Sequence, residues 1–448
     1  MSFHDVNGEP VQATSQEAVR LLDDAVTAYA GARRTTRDRL AEALAADPNC
    51  VLAHCLDGYL HMLSSKRDSV ALARESLGRA SVAASRVPSA RREQLHLAAL
   101  DAWAGGDMRG AAKIWDAILD EFPRDLIALK VSQFVLSYLG ESEGMRERVA
   151  RVLPSWTADH PGYGFTLGCY AYALEESGDY RQAEDIGRRA VDLDRGDIWA
   201  AHAVAHVAEM EGRLQDGIDW ISGLSGEWQD CSNFALHLKW HESLYHLELE
   251  QHDRVLALYD RDVRAESTDE YLDIANAVSL LWRLEQADVD VGARWRELSI
   301  RAESHLDDHA LVFVDLHYVM ALAAAGNESA LRELLGSCER FAATGKGTEA
   351  EVMAEVGLPL ARAVVAHRGG AYGAAVDHLY PVRRRIKRIG ASHAQRDLFE
   401  QLLIDAAWRG GRHAEARELL AERLAWRPGN RWGIKLQRVL KQTNGTSN

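Results

Sequence analysis

GFTLGCYAYALEESGDYRQAEDIGRRAVDLDRG (Gly164–Gly196) is the stretch whose reading decides the fold. Two segments with apolar residues at i, i+3, i+4 and i+7 flank Gly178-Asp179, and that spacing makes a stripe on a helix but scatters over both faces of a strand. Ala171, Ala183 and Ala190 are small where two helices would meet, which lets their backbones approach closely. Working outward, the same break recurs at Gly106-Asp107, Gly140-Glu141, Gly178-Asp179 and Gly212-Arg213, spaced 34, 38 and 34 residues apart. Later breaks at Gly326, Gly370 and Gly411 lie 44 and 41 residues apart and each opens a second helix in the same way. QEAVRLLDDAVTAYAG, VALARESLGRASVAAS and HAEARELLAERLAW carry the same stripe in strong helix formers. No proline stands between Pro161 and Pro359.

A helix–turn–helix period of 34 residues is the signature of tetratricopeptide repeats. The predicted fold is therefore all-α, a right-handed α-solenoid of degenerate tetratricopeptide-like helical hairpins. Residues 1–13 are expected to be an irregular N-terminal segment, 14–442 the continuous solenoid with the basic helix RWGIKLQRVLKQ as its cap, and 443–448 a disordered tail. Thr14 with Glu17 is the expected capping box of the first helix. Ser392 is the expected N-cap of the helix that begins SHAQRDLF, with Asp397 paired to a neighbouring helix.

DVNGEPVQATSQEAVRLLDDAVTAYAG, HAVAHVAEMEGR, FALHLKWHESLYHLELEQHDRVLALYD and SHAQRDLFEQLLIDAAWRGGR together resemble the tetratricopeptide repeat protein 38 family. The resemblance runs in order from about Asp5 to Arg427, and the two histidine segments are its most specific part. It implies an all-helical repeat protein and assigns no catalytic residue.

Composition narrows the function classes. The chain has 448 residues, 47% of them hydrophobic, and 52 Lys+Arg stand against 67 Asp+Glu, a net charge of −15. A negative surface repels phosphate backbones and anionic lipid, so the expectation is no nucleic-acid partner and no membrane partner. No apolar run reaches spanning length, and residues 1–20 lack a charged-then-apolar leader. The five cysteines form no Cys-x-x-Cys pair and are odd in number, which reads as reduced thiols of a cytoplasmic protein. RRRIKR at 383–388 reads as a solvated helix face.

Walker, G-x-G-x-x-G, G-x-S-x-G and H-E-x-x-H motifs are absent from the sequence. Histidine stands out instead: ten of 18 lie between His160 and His317. His202 and His206 form H-x-x-x-H, about 6 Å apart along one helix face, with Glu209 leaning onto that face. His237 and His241 form a second such pair on the first helix of the next hairpin, flanked by Trp240 and Tyr245. First-helix positions of this kind point into the ligand groove of tetratricopeptide arrays. Both pairs are therefore expected to face one concave cavity, with Glu209 nearby. Asp315 and His317 are expected to close it from the opposite rim.

Two imidazole pairs and a carboxylate suit a divalent transition metal such as Zn, Fe or Mn, held by His202, His206, His237 and His241. Glu209 and Asp315 are the candidates for catalytic carboxylates. Three readings remain open. In the first, a His-rich concave pocket takes a peptide or small-molecule ligand through His202, His206, Glu209, His237, Trp240, His241, Tyr245 and His317. The second is a metal-dependent enzyme of hydrolase, lyase or oxygenase type. The third is an interaction scaffold in which each histidine is bonded to a neighbouring helix and serves packing alone.

Overall fold

The computed structural model describes residues 2–86 and 90–443. It is 77% helical, an all-α helical repeat of the tetratricopeptide type. Consecutive helices pack as hairpins, among them Val51–Leu63 on Arg67–Arg86, Tyr163–Glu176 on Tyr180–Leu193, and Leu358–Arg368 on Tyr372–Leu379. In the hairpin that begins with Tyr163, Ala171, Ala183 and Ala190 are all fully buried, as close helix approach requires.

The glycine breaks have a backbone cause. Gly106, Gly140, Gly178, Gly212, Gly326, Gly370 and Gly411 all adopt positive φ, between 68° and 90°. A Cβ is strained there, so glycine ends one helix and aims the chain into the next.

The first helix, Gln16–Ala30, is capped by Ser15, whose hydroxyl accepts from Ala18 N, one residue beyond the expected Thr14. Thr14 N donates instead to Asp47, 2.8 Å away. The helix His393–Arg409 has the expected cap, a box in which Ser392 and Gln395 bond each other's backbone. Asp397 is ion-paired with Arg423. The segment expected to be irregular carries a short antiparallel pair, Ser2–His4 on Pro10–Gln12. Of the expected tail at 443–448, Thr443 closes the last helix and the remainder lies outside the described residues.

The chain divides into two compact units. One comprises Met1–Val204, Leu224–Ala235 and Lys346–Glu349, and the other Ala205–Gly223, Leu236–Gly345 and Ala350–Asn448. In the first, buried Arg92 bonds both Asp125 and Asp5, and Asp125 also meets His96 Nε2 at 2.8 Å. In the second, the helices Val312–Ala325 and Leu358–Arg368 pack on each other, and Arg423 joins Asp397 and Asn430. Among the described residues, no helix is long and apolar enough to cross a membrane.

Candidate metal centre

The helix Ile198–Met210 begins at Asp197, whose carboxylate accepts from the N–H groups of Trp199 and Ala200, both at 3.1 Å. Burial raises Asp197 to about 6, against the pull of Lys130 and these backbone bonds. The cap fixes the start of the helix and so the face on which His202 and His206 stand, one turn apart. His202 stacks on Tyr172, with ring centroids 5.6 Å apart, and meets Phe234 edge-on at 5.0 Å.

The second pair stands on Phe234–Glu248. That helix is seated by Gly217, where a Cβ would lie 2.5 Å from the Tyr245 ring, so only glycine admits the phenol. The Tyr245 hydroxyl then donates to Ala205 O at 2.6 Å. A buried bond of this kind contributes about 1 kcal/mol. Tyr245, expected to touch a ligand, is instead a fully buried brace between two histidine-bearing helices.

With the helices so held, the ring centroids of His206 and His241 are 4.4 Å apart and those of His237 and His241 4.8 Å apart. Ring nitrogens of His202, His206, His237 and His241 all lie within 4.8 Å of one another. Each of the four side chains is buried, with exposure of 3% or less. Burial pushes His237 down to about 3, reinforced by His206, and pushes His241 well below the usual imidazole range, with His206 and His237 adding to the effect. Both rings are therefore neutral near pH 7 and carry a lone pair, the state in which imidazole ligates a metal.

Partners on the far side of each ring orient these lone pairs. His241 Nδ1 lies 3.0 Å from Glu209 Oε2, and His237 Nδ1 lies 3.1 Å from Asn276 Oδ1. An ionised carboxylate accepts only, so the bond to Glu209 places the His241 proton on Nδ1 and leaves Nε2 as the acceptor. Glu209 is held in turn by Arg427 at 3.4 Å. Trp240 stacks on His237 at 5.1 Å and donates its N–H to Ser279 Oγ at 3.0 Å. Glu242 is drawn to Lys239 at 2.7 Å, and its pair with His246 is stretched to 4.0 Å.

Asp315 and His317 belong elsewhere. Asp315 bonds His309 Nδ1 at 3.2 Å and joins His309 and Cys338 in a separate group. His317 Nδ1 donates to Phe313 O at 2.7 Å, one turn back on its own helix, and its ring packs on Phe313 and Phe399. Adjacent positions on a helix point about 100° apart, and two residues apart they diverge further, so Asp315 and His317 serve different neighbours. Sequence reasoning missed Asn276, Arg427 and Arg283. Asn276 had a signal, an amide among the apolar residues of YLDIANAVSLLW. Arg283 is buried, donates to Ser279 O and Ala394 O, and is lowered to about 10 by burial.

No protein-family model matches the chain. Among solved structures, it is similar to a tetratricopeptide repeat protein from Parabacteroides merdae ATCC 43184, with 15% identity, 62% of this chain and 99% of that chain covered, and a TM-score of 0.39. It is also similar to the human IFIT1 dimer with m7Gppp-AAAA, with 13% identity, 97% and 96% covered, and a TM-score of 0.41. The human IFIT1 dimer with PPP-AAAA has the same identity and coverage and a TM-score of 0.42. These likenesses concern the fold.

The expectation that nucleic acid is excluded is corrected by them, since a helical-repeat chain similar over 97% of this one is solved with capped and triphosphate oligonucleotides. The physical error lies in arguing from net charge. A sum of −15 is spread over the whole surface, whereas a ligand within a Debye length meets the local field. Here cations gather at 383–388.

Proposed function

We propose that the protein is a metal-binding helical-repeat protein in which His206, His237 and His241, with His202 one turn earlier on the same helix, hold a divalent transition metal, zinc foremost. The observation that carries this reading is the orientation of the rings. His241 and His237 each turn Nδ1 to an acceptor, Glu209 and Asn276, while nitrogens of all four rings converge. Histidine ligands of metals are held in this manner, and the outer partner fixes the tautomer and raises basicity. For tetrahedral Zn–N bonds near 2.1 Å the nitrogens stand about 3.4 Å apart, so the rings need close by at most about 1.4 Å, within reach of small side-chain rotations. Burial of all four argues against a peptide lying on these rings. The histidine segments also support assignment to the tetratricopeptide repeat protein 38 family.

The enzyme reading has one observation in its favour. Glu209 lines a cavity of about 50 Å³ together with Arg283 and Arg427, enough for water and a small anionic group beside the cluster. Elemental analysis of protein made without an affinity tag in metal-replete medium tests the site. One metal per chain is expected, and His206→Ala should lose it while helicity is retained. Stripping the metal should lower stability by about 4 kcal/mol if free metal had stood at roughly a thousand times Kd. No metal after replete expression, with no stabilisation on adding zinc, would overturn the reading.

A further inference from the structure

A second site lies apart from the histidines. The segment Tyr380–Ile389 is a 3₁₀ stretch, and with the helices His393–Arg409 and His413–Trp426 it encloses a cavity of about 390 Å³. That is the size of small-molecule sites, which run from about 300 to 1,000 Å³. Six Arg or Lys side chains line it against three carboxylates, Asp397, Glu400 and Glu422.

Much of the positive charge is already committed. Arg423 bonds Asp397, Arg427 lies 3.7 Å from the same carboxylate, and Arg383 bonds Glu418 at 3.1 Å while covering the Tyr380 ring. Among the described residues Lys387 makes no ion pair, and Arg384 is paired with Glu422 at 3.8 Å. Arg396 turns its guanidinium to the carbonyls of Gly390 and Ala391. By count the wall carries six cations against three carboxylates, and Arg384 and Lys387 stand at its exposed edge.

The other wall is apolar. Leu403, Ile404 and Leu419 are buried beneath the cavity, and Trp426 stands at its lip with 68% of its surface exposed, the most of any large hydrophobic side chain among the described residues. An exposed indole beside a cation-rich wall complements the two chemistries that a phosphorylated heterocycle presents, a flat π-face and an anion.

We infer that this cavity binds a nucleoside phosphate, its base against Trp426 and the apolar floor, its phosphates against Arg384 and Lys387. The ligand arrives either as a free nucleotide or as the phosphorylated end of an oligonucleotide, and the phosphate–base pair is common to both.

Titration of the full-length protein with ADP, pyrophosphate, adenosine, and a tetra-adenylate with either a 5′-phosphate or a 5′-hydroxyl tests this. ADP should bind more tightly than pyrophosphate or adenosine alone, quench indole fluorescence, and weaken as salt rises. Trp426→Leu should weaken ADP by about 5- to 100-fold, the worth of one base–aromatic stack, and leave pyrophosphate unchanged. Arg384→Ala with Lys387→Ala should weaken ADP and pyrophosphate alike, by about tenfold or more, and leave adenosine unchanged. All three positions are at the surface, so folding is not at stake. Tighter binding of the 5′-phosphorylated oligonucleotide than of ADP, lost with the 5′-hydroxyl form, identifies the oligonucleotide end as the source. Tighter binding of ADP identifies the free nucleotide. Failure of both to bind below about 1 mM, or binding that neither variant alters, overturns the proposal.

Discussion

Two groups of buried polar side chains in the second unit are built on histidine, and they are wired in opposite ways. His309 receives Asp315 on Nδ1 at 3.2 Å and Ser337 Oγ on Nε2 at 2.8 Å, and its ring lies flat on Phe341. The connectivity is that of a nucleophile, base and acid. Yet Ser337 is buried in the middle of the helix Glu328–Thr344, whose backbone N–H groups are spent on the helix. No donors are left for an oxyanion there, so the group is a brace between the His309 loop and two helices. At His241 one nitrogen meets a carboxylate and the ring faces two further imidazoles. A histidine whose two nitrogens end on a carboxylate and a hydroxyl holds a fold together. Rings that converge nitrogen to nitrogen gain from a cation between them.

The contrast is broken most directly by removing each ring. His309→Ala leaves Asp315, already raised by burial, without its imidazole partner, and strands Ser337. The expected loss is about 3 kcal/mol, measured by urea unfolding, because a buried partner is removed from each of two polar groups. Metal content should not change. If His309→Ala instead depletes the metal, the two groups are not separate and the brace interpretation falls.

Glu209→Gln sharpens the comparison with a smaller effect. The amide retains an oxygen that can accept from His241, but the negative charge that strengthens the ligand is gone. Loss of such an outer partner weakens metal binding by about 10- to 100-fold, read by competition with a chromophoric chelator. An unchanged affinity would mean that Glu209 serves Arg427 alone.

How much of this stood in the sequence depends on range. The helices and their ends were legible because glycine at a positive φ and the i, i+4 stripe are local properties, seen at Gly178 and Gly212. His202 with His206, and His237 with His241, were legible for the same reason. Assignment of Asp315 and His317 to the same cavity assumed that successive hairpins repeat their side-chain directions, but each side chain serves its immediate neighbours, His309 and Phe313. Asn276 and Arg427 reach the centre across 39 and 218 residues, and no periodicity encodes such contacts. RRRIKR reads as a solvated face, and Arg384, Arg385 and Lys387 are indeed exposed, but the nearness of Trp426 to it is a matter of space alone and no local pattern encodes it.

The smallest effect is on pH dependence, and it bears on the neutral rings themselves. Burial holds His237 down at about 3, with His206 adding to it, and burial likewise lowers His317 to about 4. In the unfolded chain a histidine takes up its proton near pH 6.5. Between these values the unfolded state binds more protons than the native state, so stability rises with pH and is lost as pH falls below 6.5. Each ring contributes a slope of about 1 kcal/mol per pH unit in metal-free protein, an order-of-magnitude figure. Urea unfolding of the metal-stripped protein between pH 6.5 and 4.5 should therefore show His237→Asn with a slope shallower than wild type by close to one proton. A slope unchanged by His237→Asn would mean that this ring is protonated in the native state. The cluster would then be a cationic pocket suited to an anion, and the metal reading would fail at its chemical root.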